Sequence, residues 1–165
     1  MSESNLHNSN KVKYFINNTI DKIEIKKEND SLFFYVKKEQ SFLGKFTLSY
    51  FNSEDEIFFI LKKYDYLFYF TRNIILNKLK YKPFFYKKKL TYIMAFDNKL
   101  IEFKTLDISG KRKEIYLNSI KIGIVKPIYV SQEFDEYVLI FDSTIIDDNL
   151  LCLVSYCSNL IFSFN

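Results

Sequence analysis

At 165 residues, 48% hydrophobic and 27% charged, the chain has the length and balance of one globular domain with a real core, which excludes a disordered polar chain. A single histidine, His7 in a polar tail, and two cysteines in one apolar segment cannot supply an ordinary zinc site and argue against a Ser-His-Asp or Cys-His nucleophile. Net charge is +4, but residues 72–113 hold twelve Lys or Arg against three acids, and residues 131–165 hold six acids and no base. A basic middle and an acidic end either define an anion-binding face or pair with one another after folding.

In chain order, residues 1–10 (MSESNLHNSN) read as a disordered tail with no signal peptide, so a reducing cytoplasm is the expected compartment. Residues 11–165 read as a single domain. Short segments rich in Phe, Tyr, Ile and Val follow one another. SLFFYVKK (31–38) and FLGKFTLSYF (42–51) predict two strands joined by a turn at KEQS. IFFILKK (57–63) is expected to be broken from LFYF (67–70) by YDY, and NIILNKLK (73–80) suits a strand or two turns of helix. PFFYKKK (83–89), LTYIMAF (90–96), LIEFKTL (100–106), EIYL (114–117), IKIGIVK (120–126) and YVLIFD (137–142) continue the rhythm. With three Gly and two Pro in the chain, the turns must rely on Asn, Asp and Ser. A strand every 10 to 14 residues is the signature of an antiparallel sandwich or barrel.

Residues 147–163 differ. They lack Pro and Gly, exceed ordinary strand length, and open with Asp147 as a potential N-cap and Asp148 in the first turn. Leu150, Leu153, Tyr156, Cys157, Leu160 and their neighbours point nearly all the way around a helix axis, which requires burial in protein or lipid. The apolar length reaches roughly 22 Å, short of the ~30 Å hydrocarbon core, and Ser155, Ser158 and Asn159 interrupt it. A membrane span is therefore not expected. Cys152 and Cys157 project about 140° apart on such a helix, so they read as buried free thiols. A β-rich chain with one such helix implies a helix enclosed by strands, because a barrel wider than about eight strands cannot fill its own interior.

The stretch IGIVKPIYVSQEFDEYVLIFDSTIIDDNLLCLVSYCSNLIF resembles the end of tubby C-terminal-like domains, the superfamily of LURP-one-related proteins and phospholipid scramblases. Asp135, Tyr137, Leu139 and Phe141 occupy the strand positions of that pattern, Asp147 and Asp148 the acidic turn, and Leu150 to Phe162 the helix. The resemblance implies a mainly β fold, a closed antiparallel barrel of about twelve strands around a C-terminal hydrophobic helix. It also implies binding of phospholipid or phosphoinositide headgroups at an anionic membrane surface. The cysteine-rich run and acidic loop of scramblases are missing, so scramblase activity is not implied.

The residues themselves offer one binding segment, KLKYKPFFYKKK. Lys78, Lys80, Lys82, Lys87, Lys88 and Lys89 flank Phe84, Phe85 and Tyr86, a mixture suited to lipid phosphates and the interface above them. The plainer reading is a sheet edge guarded by lysines. Single-stranded nucleic acid, with the rings stacking on bases, and a protein-interaction scaffold are the alternative functions. Gly44, Gly110 and Gly123 are isolated and form no phosphate loop, while Glu133, Asp135 and Glu136 fall before a strand as a solvated loop, with a calcium or magnesium site as the alternative. The expectation is a non-enzymatic protein with no metal or cofactor, cytoplasmic and peripheral to membranes, with anionic headgroups as its partner.

Overall fold

A computed structural model describes residues 11–66, 69–142 and 146–160. Twelve strands precede one helix: β1 (Lys11–Thr19), β2 (Lys22–Lys27), β3 (Leu32–Phe42), β4 (Lys45–Asn52), β5 (Ile57–Tyr66), β6 (Tyr69–Asn77), β7 (Phe84–Lys88), β8 (Thr91–Phe96), β9 (Lys99–Thr105), β10 (Lys113–Leu117), β11 (Ile120–Val130), β12 (Phe134–Asp142) and α1 (Ile146–Leu160). Every pairing is antiparallel between chain neighbours, and β1 also pairs β12, from Lys11↔Asp142 to Thr19↔Phe134. The sheet therefore runs around almost to closure. Its two free edges, β6 and β7, are joined by residues 78–83, and the Phe70 and Tyr92 rings meet across the seam with centroids 5.8 Å apart. The fold is thus the mainly β, nearly closed barrel that the strand rhythm and the resemblance implied.

Period-two alternation builds the interior. Ile16 on β1, Ile25 on β2, Val36 on β3, Leu48 and Tyr50 on β4 and Leu61 on β5 are buried, as are Met94, Phe103, Ile115, Val125 and Leu139 across the other strands. These side chains enclose α1, whose residues 151–160 are buried on every face. Tyr50 Oη donates to the Val154 carbonyl at 3.2 Å, and the Tyr156 ring packs on Phe103 and Tyr137 at 5.8 and 6.2 Å. Cys152 and Cys157 are buried free thiols. No described helix is long and apolar enough to cross a membrane.

Several boundaries differ from the sequence reading. β1 and β2 have no counterpart among the predicted strands, because their inward apolar residues (Val12, Tyr14 and Ile16; Ile23 and Ile25) are interspersed with Lys, Asn and Glu and form no contiguous apolar run. β3 runs through KEQS to Phe42, and the turn falls at Leu43–Gly44 instead. Gly44 takes φ +74°, and a Cβ there would sit 2.5 Å from the Asp65 carbonyl oxygen, so only glycine fits. β5 continues through Tyr64-Asp65-Tyr66, because Tyr64 stacks on Tyr66 and Tyr69 while Asp65 pairs with Arg72 on β6. Asp135 and Glu136 lie in β12, not in a loop. The helix starts at Ile146, so Asp147 and Asp148 stand in its first turn and Asp147 is not the N-cap. The tail (1–10), Leu67 and Phe68, and the helix prediction beyond Leu160 lie outside the described residues. Asp97-Asn98 and Asn118-Ser119 both carry consecutive positive φ angles, the hairpin geometry that a glycine-poor chain must build from Asn, Asp and Ser.

Candidate functional site

The up-and-down order gives the barrel two ends. Helix α1 enters beside the β12 terminus at Asp142 and finishes at the other end, here called the mouth, beside Arg72 on β6 and Lys113 on β10. At the entry end the helix N-terminus carries Asp147 and buried Asp148, with Lys99 Nζ 3.4 Å from Asp148 Oδ2.

At the mouth, the inward-facing row beyond the apolar core is polar. On β1 the buried sequence Tyr14, Ile16 is followed by Asn18; on β5, Phe59 and Leu61 are followed by Lys63; on β12, Asp135 precedes Tyr137 and Leu139. On β10, Lys113 occupies the slot before Ile115. Helix α1 has no basic residue in its last turn, so the barrel wall supplies the positive charge that its C-terminal carbonyls favour. Arg72 Nη2 donates to Asn159 Oδ1 at 3.3 Å. The same guanidinium binds Asp65 through two contacts of 2.6 and 2.8 Å, and Lys63 Nζ lies 3.5 Å from Asp65. Asp135 accepts from Tyr137 Oη at 3.0 Å and faces Lys111 Nζ at 3.9 Å.

Burial depresses the basicity of this row. It pulls Lys63 well below an ordinary lysine, helped by Arg72 and opposed by Asp65. Burial also brings Lys113 down to about 8, with Lys87 adding repulsion, and Lys38 down to about 8 against the pull of Asp21, Cys157 and Asp135. Between about pH 8 and their unfolded value of 10.5 these lysines bind more protons unfolded than folded, so stability rises with pH across that window. Burial raises the Cys152 and Cys157 thiols from 9.0 and the Tyr50 and Tyr156 hydroxyls from 10.0, so the unfolded chain loses those protons first and stability falls at higher pH. The melting temperature is accordingly expected to rise from pH 8 to 9 and to fall above about pH 10. Lys113→Met should flatten the rise in a pH series of thermal melts.

The segment singled out in the sequence is divided by the fold. Lys78, Lys80 and Lys82 lie in the 78–83 connection at the entry end, whereas Lys87, Lys88 and Lys89 reach the mouth. About 17 Å of β7 separates the two groups. Phe84 is 67% exposed and pairs with the Tyr86 ring at 5.9 Å, while Phe85 is 7% exposed and belongs to the core. β7 is a sheet edge, as the plainer reading had it. What the fold joins instead is Lys87–Lys89 with Lys111, Arg112 and Lys113 from the 106–112 loop and the start of β10. Residues 87–91 and 104–113 hold seven Lys or Arg and a single acid, Asp107. Burial works against Asp107's charge, but hydrogen bonds from Ser109 and the backbone of Arg112, Lys111 and Gly110 together hold its carboxyl below the usual range.

The two ends also differ in their turns. Ile20, Leu43, Leu90, Leu106 and Ile108 are exposed in mouth turns, and Tyr66 and Tyr69 are exposed at the mouth ends of β5 and β6. Tyr129, Val130 and Phe134 are exposed around the last mouth turn. At the entry end the turns read Glu-Asn-Asp-Ser (28–31), Ser-Glu-Asp-Glu (53–56), Asp-Asn (97–98) and Asn-Ser (118–119), and the exposed Phe84, Leu100 and Ile120 stand on strands. Sequence reasoning missed this face. Lys63 and Lys113, charged residues in inward slots of alternating strands, were the signal available for it.

Fold and site together define a helix-filled, twelve-stranded barrel with a cationic mouth bordered by exposed apolar turns. No protein-family model, curated protein or solved structure matches the chain.

Proposed function

We propose that the protein is a non-enzymatic module that docks through the barrel mouth onto anionic phospholipid surfaces. One observation carries the reading: exposed apolar side chains recur at turn after turn of the mouth, whereas the opposite end has polar or acidic tight turns and the lysine-bearing 78–83 connection. A soluble face seldom repeats apolar residues on successive hairpin tips, because each costs hydration without any gain from packing. Tips arranged around one opening reach a bilayer interface together, while Lys88, Lys89, Lys104, Lys111 and Arg112 meet its phosphates. The fold the tubby-like resemblance implied, a barrel threaded by a hydrophobic helix, is compatible with this role. Under this reading the protein is a peripheral membrane protein of the cytoplasm, and it needs no cofactor.

Co-sedimentation with phosphatidylcholine vesicles containing or lacking phosphatidylserine tests the proposal. Binding should require the anionic lipid and weaken as salt rises. Leu90→Asp combined with Ile108→Asp should reduce binding at least tenfold. Leu90 is 74% exposed and Ile108 is fully exposed, so stability should stay within about 0.5 kcal/mol. Equal binding to neutral vesicles, or undiminished binding by the double variant, would sink the proposal. Salt-sensitive binding to single-stranded oligonucleotides without vesicle binding would replace it with the nucleic-acid reading.

A further inference from the structure

Between the β7–β8 turn, the 106–112 loop and the last turn of α1 lies a cavity of about 450 Å³, within the range of small-molecule sites. Lys87, Lys111 and Lys113 line it, together with Tyr92, Tyr156 and Asn159. Lys113 is the unusual member. It is 9% exposed, and its Nζ lies 4.9 Å from the Tyr92 ring centroid and 5.8 Å from that of Tyr156. Among the described residues it has no hydrogen bond and no ion pair. Lys87 Nζ sits over the same Tyr92 ring at 5.1 Å. Two ammonium groups thus lie against one aromatic ring, and Lys111, 3.9 Å from Asp135, adds a third to the cavity wall.

The one carboxylate lining the cavity, Asp107, accepts the Arg112 N–H at 3.5 Å, and its charge is taken up by its own loop. The ammonium groups remain as the recognition elements. Losing hydration without gaining an anionic partner is costly for a cation, and the two ring faces replace only part of that hydration. A positive charge also suits the helix C-terminus, but Arg72 already bonds to Asn159 there, and the helix end carries only about half a unit of negative charge. Lys111 is already offset by Asp135, and the two further ammonium groups of Lys87 and Lys113 exceed that need. A dianion with several acceptor oxygens matches them in charge and in number of donors.

We propose that this cavity is a binding site for a phosphate monoester, held by Lys87, Lys111 and Lys113 at the barrel mouth. The site does not require the membrane reading. A soluble phosphate ester would occupy it even if the barrel never met a bilayer, and a phosphatidic-acid headgroup would present the same chemistry from a membrane.

The test is an amide-resolved NMR titration of the full chain with glycerol 3-phosphate, against potassium chloride at matched ionic strength. Saturable shifts are expected at residues 107–113 and around Lys87, with at least tenfold weaker binding in Lys113→Met. The joint variant Lys87→Gln with Lys111→Gln gives a second readout if Lys113→Met does not fold, and it should weaken binding to the same extent. Shifts that fail to saturate, that chloride reproduces, or that survive the substitutions unchanged would overturn the site. A parallel arm uses phosphatidylcholine vesicles with and without phosphatidic acid. Glycerol 3-phosphate binding without vesicle binding assigns the site to soluble esters and removes the membrane role. Vesicle binding that ignores Lys113→Met and the joint variant keeps the membrane role and removes the site.

Discussion

Val154→Asp should abolish folding. Val154 is fully buried inside the barrel, and its carbonyl accepts the Tyr50 hydroxyl, itself fully buried. Leu153 and Ser155 beside it are equally buried, so a carboxylate at 154 has no route to water. An ion there, or the proton uptake that neutralises it, costs several kcal/mol, comparable with the ~5–15 kcal/mol that holds an entire domain together. Leu153→Asp should do the same. Val154→Ala removes only two methyl groups and should cost about 2 kcal/mol while keeping the fold. Circular dichroism and amide dispersion distinguish these outcomes. If Val154→Asp retains native dispersion and an unchanged melting temperature, the helix is not the core.

The second large effect is expected at Asp65. Its two oxygens hold Arg72 and its Oδ2 also faces Lys63, and both cationic side chains are fully buried. Asp65→Ala would leave two desolvated cations beside one another, a loss of about 3–5 kcal/mol. Lys63→Met should cost less than Asp65→Ala, because it leaves the bidentate Asp65–Arg72 pair intact. Urea unfolding measures both. Equal and small effects from the two substitutions would show that the polar row is not electrostatically coupled. An intact row also matters for any ligand, since Arg72 anchors Asn159 at the edge of the proposed cavity.

These two predictions fall on residues of unequal legibility. Val154 could be placed in the core from the sequence, because an all-round apolar helix of that length with no basic flank has to be enclosed. In the sequence, Lys63 is the polar end of IFFILKK and Asp65 sits in the expected YDY break. Their roles depend on Arg72, which the sheet places opposite Lys63 in the β5–β6 register. The segment 78–89 shows the same limit from the other side. Its lysines are contiguous in the chain, but a strand of five residues carries them to opposite ends of the barrel, and alternation turns Phe85 inward while Phe84 stays out.

Local pattern alone determined the β-rich class, the buried thiols and the enclosed helix, because burial and periodicity are properties of neighbouring residues. The tertiary structure decided which charges and turns share an end. Lys87 and Lys113 are 26 positions apart in the chain, and only the β7–β8–β9–β10 meander brings them to one cavity. The apolar turns from Ile20 to Phe134 become one face for the same reason: strand direction alternates, so every second turn returns to the mouth.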